Sequence, residues 1–417
     1  MAESKRRAHQ LELTSARLCA LILTGVFLGT APVAFCTQNV HRKTDSALDF
    51  ATLSAKADAT RDGGDLGEAA SLYRRALALR PSWAEGWWSL ATLEYDRDHY
   101  RQAGEAFKRV IALQPNNGTA QAMLGLCEFE LGQDDDALRH IHKGKGLGLQ
   151  KNPELWHVVL FHEGILLQRR GSFQAAQDTL EELCLQAGSN DKAATILGMT
   201  MLRQNGKGPT PLGSRDGDVV LRVGRAQCLA GQKKYDQARH DYESVVDENP
   251  KYPNIHYAFG LFLFEIRDVT AGVDQLKKEI ANSPANVIAR LRIAAAQYKQ
   301  DSAAGLPYAE EAVKLDPQQP FTHMLVGLLR LDVDDYLNAI PELEIAQKGL
   351  PREPKIYAAL GTAYSRAGRK QEATRARLRF ARLTEKERKK SADSTSTEPR
   401  NSRLDQITVG DMAPSSK

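Results

Sequence analysis

Residues 87–115 read WWSLATLEYDRDHYRQAGEAFKRVIALQP. Within this stretch the small residue Ala91 lies in an apolar run, Ala103 follows twelve residues later, and Pro115 comes after another twelve. A small side chain allows two helices to cross closely, and proline ends a helix because it has no backbone N–H to donate. The stretch therefore predicts two helices joined by a short turn.

The same pattern recurs along the chain with a period of about thirty-four residues. Twelve residues before each of six prolines lies Ala or Gly, and the prolines are Pro81, Pro115, Pro250, Pro284, Pro317 and Pro351. A second set of small residues recurs within apolar runs upstream, as Gly125, Gly198 and Gly260 do. A fixed period of this size is typical of a solenoid of helix pairs.

Length and charge agree with a repeat array. The chain has 417 residues, and 42% of them are hydrophobic. A chain of this length is longer than a single compact domain usually is, so it should form several domains or a repeat array. Lys and Arg number 56 against 52 Asp and Glu, and the excess lies in residues 1–36 and 382–417. Because residues 37–381 are formally neutral, we expect no nucleic-acid partner.

The residues of the first stretch resemble a tetratricopeptide repeat, and so does a later segment with Tyr357, Leu360, Gly361 and Tyr364. The resemblance covers about residues 47–381. It implies an all-α, right-handed superhelical solenoid whose first helices line a concave groove that binds a peptide or a partner protein.

Two departures from the period set the expected domain boundaries. Residues 143–148 read KGKGLG where the step lengthens to 39 residues, and we favour a helix C-terminus there over a phosphate-binding loop. Residues 205–213 read NGKGPTPLG, which cannot be helical and stands where one helix of a pair should be. We predict an N-terminal array over 47–204, an irregular loop over 205–217 and a C-terminal array over 218–381.

Both ends of the chain differ from the repeats. Residues 18–36 carry no charge and follow Lys5, Arg6, Arg7 and Arg17, the pattern of a signal peptide or signal anchor over residues 1–36. We therefore expect export to the periplasm or beyond, or attachment to the inner membrane through residues 18–36. Residues 382–417 are rich in charge, Ser, Thr and Pro, and we expect a disordered tail.

The sequence offers few groups suited to catalysis. His140, His142, His157 and His162 fall in adjacent repeats, but their spacing is not that of a helix-borne zinc site. After signal cleavage the odd set Cys127, Cys184 and Cys228 shows no paired spacing, so we interpret all three as small buried residues rather than a disulfide framework. We expect no metal, no cofactor and no enzymatic activity.

The family resemblance places the groove on the first helices, just after the large apolar position and again seven residues on. The candidate groove residues are Trp88, Tyr95, Phe129, Phe161, Tyr257 and Phe264, with Phe321 and Met324 close by. Basic residues are scarce among these positions, Arg169 and Arg366 being exceptions. Such an aromatic stripe predicts a peptide-binding groove. The alternative is that the rings pack between adjacent repeats.

Two classes of function remain open at this stage. One is an exported, non-catalytic scaffold that binds a peptide or protein in its groove. The other is an envelope assembly or carrier component in polysaccharide or outer-membrane biogenesis. A groove dominated by Arg and Lys would favour anionic polymers, whereas apolar aromatics would favour peptides. The oligomeric state is not predicted.

Overall fold

The computed structural model describes residues 49–188, 190–205 and 213–393. These residues form nineteen α-helices and one short 3₁₀ turn, and they contain no β-strand. The all-α prediction is confirmed. The expected signal segment lies outside the described residues. None of the described helices combines the length and the apolar character needed to span a bilayer.

The chain divides into two compact units, residues 1–166 and 167–417. The helices of the first unit are α1 (Phe50–Asp62), α2 (Leu66–Leu79), α3 (Ala84–Asp96), α4 (Tyr100–Leu113), α5 (Gly118–Glu130) and α6 (Asp134–Gly146). Helix α7 (Pro153–Arg169) contains the boundary between the units. Consecutive helices pack against one another as hairpins, and each hairpin packs against the next within the unit.

The second unit continues the same arrangement. Its helices are α8 (Phe173–Ala187), α9 (Asp191–Met201), α10 (Arg215–Gly231), α11 (Tyr235–Glu248), α12 (Ile255–Glu265), α13 (Val269–Asn282), α14 (Val287–Gln297), α15 (Ser302–Leu315), α16 (Pro320–Asp332), α17 (Tyr336–Gly349), α18 (Pro354–Arg366) and α19 (Lys370–Asp393). Its apolar core lies between successive hairpins, so each hairpin buries its apolar faces against its neighbours.

The small residues of the sequence pattern stand where helices cross closely. A Cβ atom added to Gly125 on α5 would lie 2.9 Å from the Ala137 carbonyl oxygen on α6. The crossing of α9 and α10 is closer still, since a Cβ atom on Gly198 would lie 1.9 Å from the Val220 carbonyl oxygen. Helix starts are fixed by side-chain caps, for example Asn117 Oδ1, which accepts the Ala120 N–H at 2.9 Å.

A left-handed residue follows the first helix of each hairpin. The residues with positive φ at these turns are Gly64, Asp98, Gly132, Gly171, Arg203, Lys233, Arg267, Lys299, Asp334 and Gly368. They recur at intervals of 30 to 39 residues, the period seen in the sequence. This left-handed turn position therefore marks ten first helices. Ten complete hairpins would contain twenty helices, whereas the described residues form nineteen.

Two boundaries differ from those that the sequence predicted. Helix α10 begins at Arg215 rather than after residue 217, because Ser214 Oγ accepts the Gly217 N–H at 3.0 Å and caps the helix. Helix α19 continues to Asp393, so residues 382–393 are helical and not part of a disordered tail. Ion pairs one turn apart, such as Arg388 Nε to Glu385 Oε2 at 3.0 Å, support this extension.

The cysteines correct another prediction. Cys184 on α8 and Cys228 on α10 form a disulfide bond, with their Cα atoms 5.4 Å apart. Their separation of 44 positions hides this proximity in the sequence, because the helix packing alone brings them together. Cys184, Cys228 and Cys127 are all fully buried, as expected.

Candidate functional site

An open groove of about 840 Å³ runs along the second unit. Four consecutive first helices line it: α12, α14, α16 and α18, together with the turns that follow the first three. The groove thus lies on the first helices, the face that the family resemblance implied. Its side chains include Phe264, Arg267, Arg292, Tyr298, Lys299, Leu328, Leu331, Asp332, Asp334, Lys355, Thr362 and Arg366.

The left-handed turn position supplies three of the charged groups. Arg267, Lys299 and Asp334 have φ values of 65°, 70° and 62°. A residue with a Cβ atom pays about 1–2 kcal/mol for this conformation, which glycine adopts freely. The turn projects each of these side chains along the edge of the groove.

Both carboxylates in the groove are engaged in ion pairs. Asp332 pairs with Lys299 and also accepts a hydrogen bond from Ser302 Oγ at 2.6 Å. The hydrogen-bonded ion pair between the two side chains lowers the pKa of the Asp332 carboxyl and raises the pKa of the Lys299 ammonium. Asp334 pairs with Arg366. Five basic side chains line the groove against two acidic ones, so the groove carries a net positive charge.

Apolar surface accompanies this charge in the groove. Phe264 is half-buried, and a Cβ atom on Gly272 would lie 2.5 Å from its ring, so the glycine makes room for the phenylalanine. Tyr298 is also half-buried, with the Lys299 Nζ 5.1 Å from its ring centroid, and burial raises the pKa of its phenol. The groove therefore presents aromatic and aliphatic surface together with cations.

Of the residues that the sequence proposed for this face, Phe264 and the exceptional Arg366 line the groove. Tyr257, Phe321 and Met324 were placed wrongly, because they are 1%, 6% and 0% exposed. They lie on the faces of α12 and α16 that pack within the array. For these three the alternative of rings packed between repeats is correct.

The candidate residues of the first unit are half-buried rather than enclosed. Each ring contacts another ring at its edge: Trp88 with Phe107 at 5.5 Å, Tyr95 with Tyr100 at 5.4 Å, and Phe129 and Phe161 with His162 at 4.7 and 5.5 Å between centroids. These four side chains remain predicted contact residues of the first unit.

Two of the four histidines in the adjacent repeats lie within hydrogen-bond distance of buried carboxylates. His140 Nδ1 lies 2.6 Å from Glu128 Oε2, and His142 Nε2 lies 2.9 Å from Glu163 Oε1. Lys145 Nζ donates to Glu163 Oε2 at 2.6 Å. Burial alone would raise the pKa of Glu163, but its contacts with His142 and Lys145 outweigh burial and lower that pKa. Over residues 49–188, 190–205 and 213–393, no cluster of side chains could hold a metal ion.

The glycine-rich run near residue 145 is the end of a helix. Helix α6 ends at Gly146, and Gly148 adopts the left-handed conformation with φ of 89°. A phosphate cradle would need a helix that starts at the glycines, whereas here one stops. The interpretation as a helix C-terminus is confirmed.

Four of the five basic residues of the groove, all except Arg366, were not predicted from the sequence. Arg267 and Lys299 stand at the left-handed turn position, which the sequence reveals only where it holds glycine, as in Gly132, Gly171 and Gly368. Carrying that position forward by the thirty-four-residue period would have pointed to them. Arg292 and Lys355 lie on helices whose rotation about their axes the pattern did not fix.

Residues 89–141 and 223–287 match the family model of the tetratricopeptide repeat. The chain contains tetratricopeptide repeats. It is similar to human protein O-mannosyl-transferase TMTC3, at 27% identity over 118 residues, and to the general transcriptional corepressor trfA of Dictyostelium discoideum, at 25% over 134 residues. These segments cover 28% and 32% of this chain but only 12% and 9% of those proteins.

Solved structures of MamA resemble part of this tetratricopeptide repeat protein. A crystal structure of MamA is 19% identical, with a TM-score of 0.37, and the match covers 39% of this chain and 96% of that one. MamA 41-end from Desulfovibrio magneticus RS-1 is 22% identical, with a TM-score of 0.37, over 42% of this chain and 97% of that one.

Proposed function

We propose that this tetratricopeptide repeat protein is a non-catalytic scaffold that binds a segment of a partner protein in the groove of its second unit. The observation that supports the proposal is the groove itself, which four consecutive first helices line with both apolar and basic side chains. The net positive charge favours a segment that carries carboxylates among apolar residues.

We also propose that the protein is exported. The charge-free run at residues 18–36 and its basic flank favour this. The buried disulfide between Cys184 and Cys228 adds independent support, since disulfides persist mainly in oxidising compartments.

Site-specific photo-crosslinking tests the groove. Thr362 is exposed in the groove on α18, whereas Leu337, 65% exposed on α17, is not among the lining residues. A photo-reactive amino acid at position 362 should cross-link to a polypeptide in the native host, and the same group at position 337 should not. Mass spectrometry should locate the cross-link in an acidic segment.

A charge variant provides the second arm of this test. Lys355→Glu combined with Arg267→Glu reverses two of the five basic groups in the groove. We expect cross-linking from position 362 to fall at least about tenfold while the folded protein keeps its helical circular dichroism signal. Equal cross-linking from both positions, or no effect of the charge reversal, would contradict the proposal.

The second candidate is a carrier of an anionic envelope polymer, and the excess of basic side chains in the groove favours it. The same variants separate the two functions. If an acidic polysaccharide binds with the affinity of the wild-type groove and no peptide cross-link forms, the carrier function is the correct one.

A further inference from the structure

The last helix, α19, carries five basic side chains on one face. They stand at positions i, i+4, i+7, i+11 and i+14 and form what we call the α19 basic stripe: Arg375, Arg379, Arg382, Lys386 and Lys389. All five are exposed. At a rise of about 1.5 Å per residue the stripe is about 21 Å long.

The packing of α19 fixes which way the stripe faces. Ala373 and Ala376 are 2% and 7% exposed and belong to the core cluster that includes Leu360 of α18. At 3.6 residues per turn, the centre of the stripe lies roughly 130° around the helix axis from the two alanines, and only Arg379 lies close to their side of the helix. The five cations therefore face solvent beside α18.

The acidic side chains near the stripe are engaged in ion pairs, mainly with cations outside the stripe and in one case with Lys389 of the stripe itself. Glu372 Oε2 accepts a hydrogen bond from Arg369 Nε at 2.6 Å. Glu385 Oε2 accepts one from Arg388 Nε at 3.0 Å, and Glu385 Oε1 also lies 3.6 Å from Lys389 Nζ. These two carboxylates leave the stripe with a net positive charge along its length.

A cavity of about 350 Å³ opens at the N-terminal end of the stripe. Arg375 and Arg379 stand at its border, and Tyr357, Leu360 and Tyr364 contribute apolar surface. The Arg379 guanidinium is held there, since it donates to the Pro351 carbonyl oxygen at 3.4 Å and its Cζ lies 5.8 Å from the centroid of the Tyr357 ring. The cavity is suited to one apolar side chain that arrives with a row of negative charges.

The surroundings of the stripe distinguish between anionic partners. Single-stranded nucleic acid stacks its bases on exposed rings, but Tyr357 and Tyr364 are only 5% and 8% exposed. A bilayer surface needs a row of apolar side chains to insert, whereas the described part of α19 exposes only two large apolar side chains, Leu378 at 55% and Phe380 at 37%. A second α-helix, by contrast, has the same rise and rotation per residue as α19, so a row of its side chains can match the spacing of the stripe.

We propose that the α19 basic stripe docks an acidic amphipathic helix of a partner protein. Carboxylates at i, i+4, i+7 and i+11 of that helix lie opposite the cations, and one of its apolar side chains enters the cavity beside Tyr357. This surface is separate from the groove on the first helices, so its test does not depend on the proposed function.

Fluorescence anisotropy with the full-length protein tests the docking. The probe is a labelled helix-forming peptide with Glu at i, i+4, i+7 and i+11 and one Leu near its end. The comparison peptide has the same composition with its Glu residues spread around the helix. We expect the first peptide to bind at least about tenfold more tightly, and its affinity to fall as salt screens the charges.

The matched variants are Arg379→Glu with Arg382→Glu on the stripe, and Lys370→Glu with Arg388→Glu on another face of the same helix. Both pairs change the net charge equally. We expect only the stripe variant to lose at least about tenfold in affinity for the probe peptide. Equal losses in the two variants would reduce the effect to net charge and overturn the proposal.

Two further probes complete the test. Vesicles with about a third anionic phospholipid and a fluorescent single-stranded oligonucleotide are titrated with the same proteins. Binding of either one that the stripe variant abolishes, together with no difference between the two peptides, would assign the stripe to lipid or nucleic acid and overturn the helix proposal.

Discussion

At the scale of single residues, the left-handed turn position supplies three charged side chains to the groove of the second unit. Glycine occupies it in four hairpins whose turns lie outside the groove, and other residues occupy it at three more such turns: Gly64, Gly132, Gly171 and Gly368, then Asp98, Arg203 and Lys233. Arg267, Lys299 and Asp334 occupy it beside the groove and bear the conformational cost. Strained positions that persist in a fold often mark functional sites.

Arg267→Gly tests this relation between strain and binding. Because glycine adopts positive φ freely, we expect the free energy of unfolding to rise by about 0.5–1 kcal/mol and the affinity for a groove peptide to fall. Urea denaturation and anisotropy measure the two effects.

Lys233→Gly is the matched control, since Lys233 has a φ of 61° at the equivalent turn and does not line the groove. It should gain similar stability and leave peptide binding unchanged. If both variants bind as the wild type does, Arg267 has no part in recognition.

At the scale of helices, a polar cluster joins α8, α10, α11 and α12 inside the second unit. Gln227 Nε2 donates to Glu181 Oε1 at 2.7 Å and to Glu265 Oε2 at 3.1 Å, and Tyr242 donates to Gln227 Oε1 at 2.6 Å. Burial, and then the charge of Glu265, raises the pKa of Glu181 to about 8. Burial also raises the pKa of Glu265.

The raised pKa makes the second unit less stable as pH increases. A carboxyl that ionises near 4.5 when unfolded and near 8 when folded holds its proton in the folded state across that window. The unfolded chain gains stability by ionising first, so the free energy of unfolding falls between about pH 4.5 and pH 8.

Glu181→Gln removes this dependence while keeping an oxygen that accepts hydrogen bonds. We expect the variant to be more stable than the wild type at pH 8 by about 2 kcal/mol and to differ little near pH 4. Denaturation at several pH values measures it. Glu182→Gln, on the same helix, should follow the wild-type profile, and a Glu181→Gln profile parallel to the wild type would disprove the assignment.

At the scale of the whole molecule, the disulfide between α8 and α10 closes a stretch of 44 residues in the second unit. A loop of that length restricts the unfolded chain by about 3–4 kcal/mol in the chain-entropy model. The bond therefore stabilises the unit that holds both the groove and the α19 basic stripe.

We expect Cys184→Ala combined with Cys228→Ala to lower the melting temperature of the second unit by about 5–10 °C. A reductant should lower the wild-type value similarly and leave the double variant unchanged. Calorimetry on the purified protein measures both. A wild-type melting temperature that does not respond to complete reduction would contradict a stabilising role.

The thirty-four-residue period by itself determined the fold class, because its small residues, such as Gly125 and Gly198, stand where two helices cross closely. It also located the groove on the first helices and identified Phe264 through the family resemblance. The tertiary structure alone decided that Tyr257, Phe321 and Met324 are core residues. An apolar pattern reports which helix a ring belongs to, but burial depends on the rotation of that helix against its neighbours.

The disulfide and the charge of the groove were also decided only by the tertiary structure. Cys184 and Cys228 meet because α8 and α10 pack together, which no local spacing encodes. Arg292 and Lys355 come from different helices and share one surface only after those helices stack. Local sequence determines where a helix starts and stops, whereas a site built from several helices exists only once they pack.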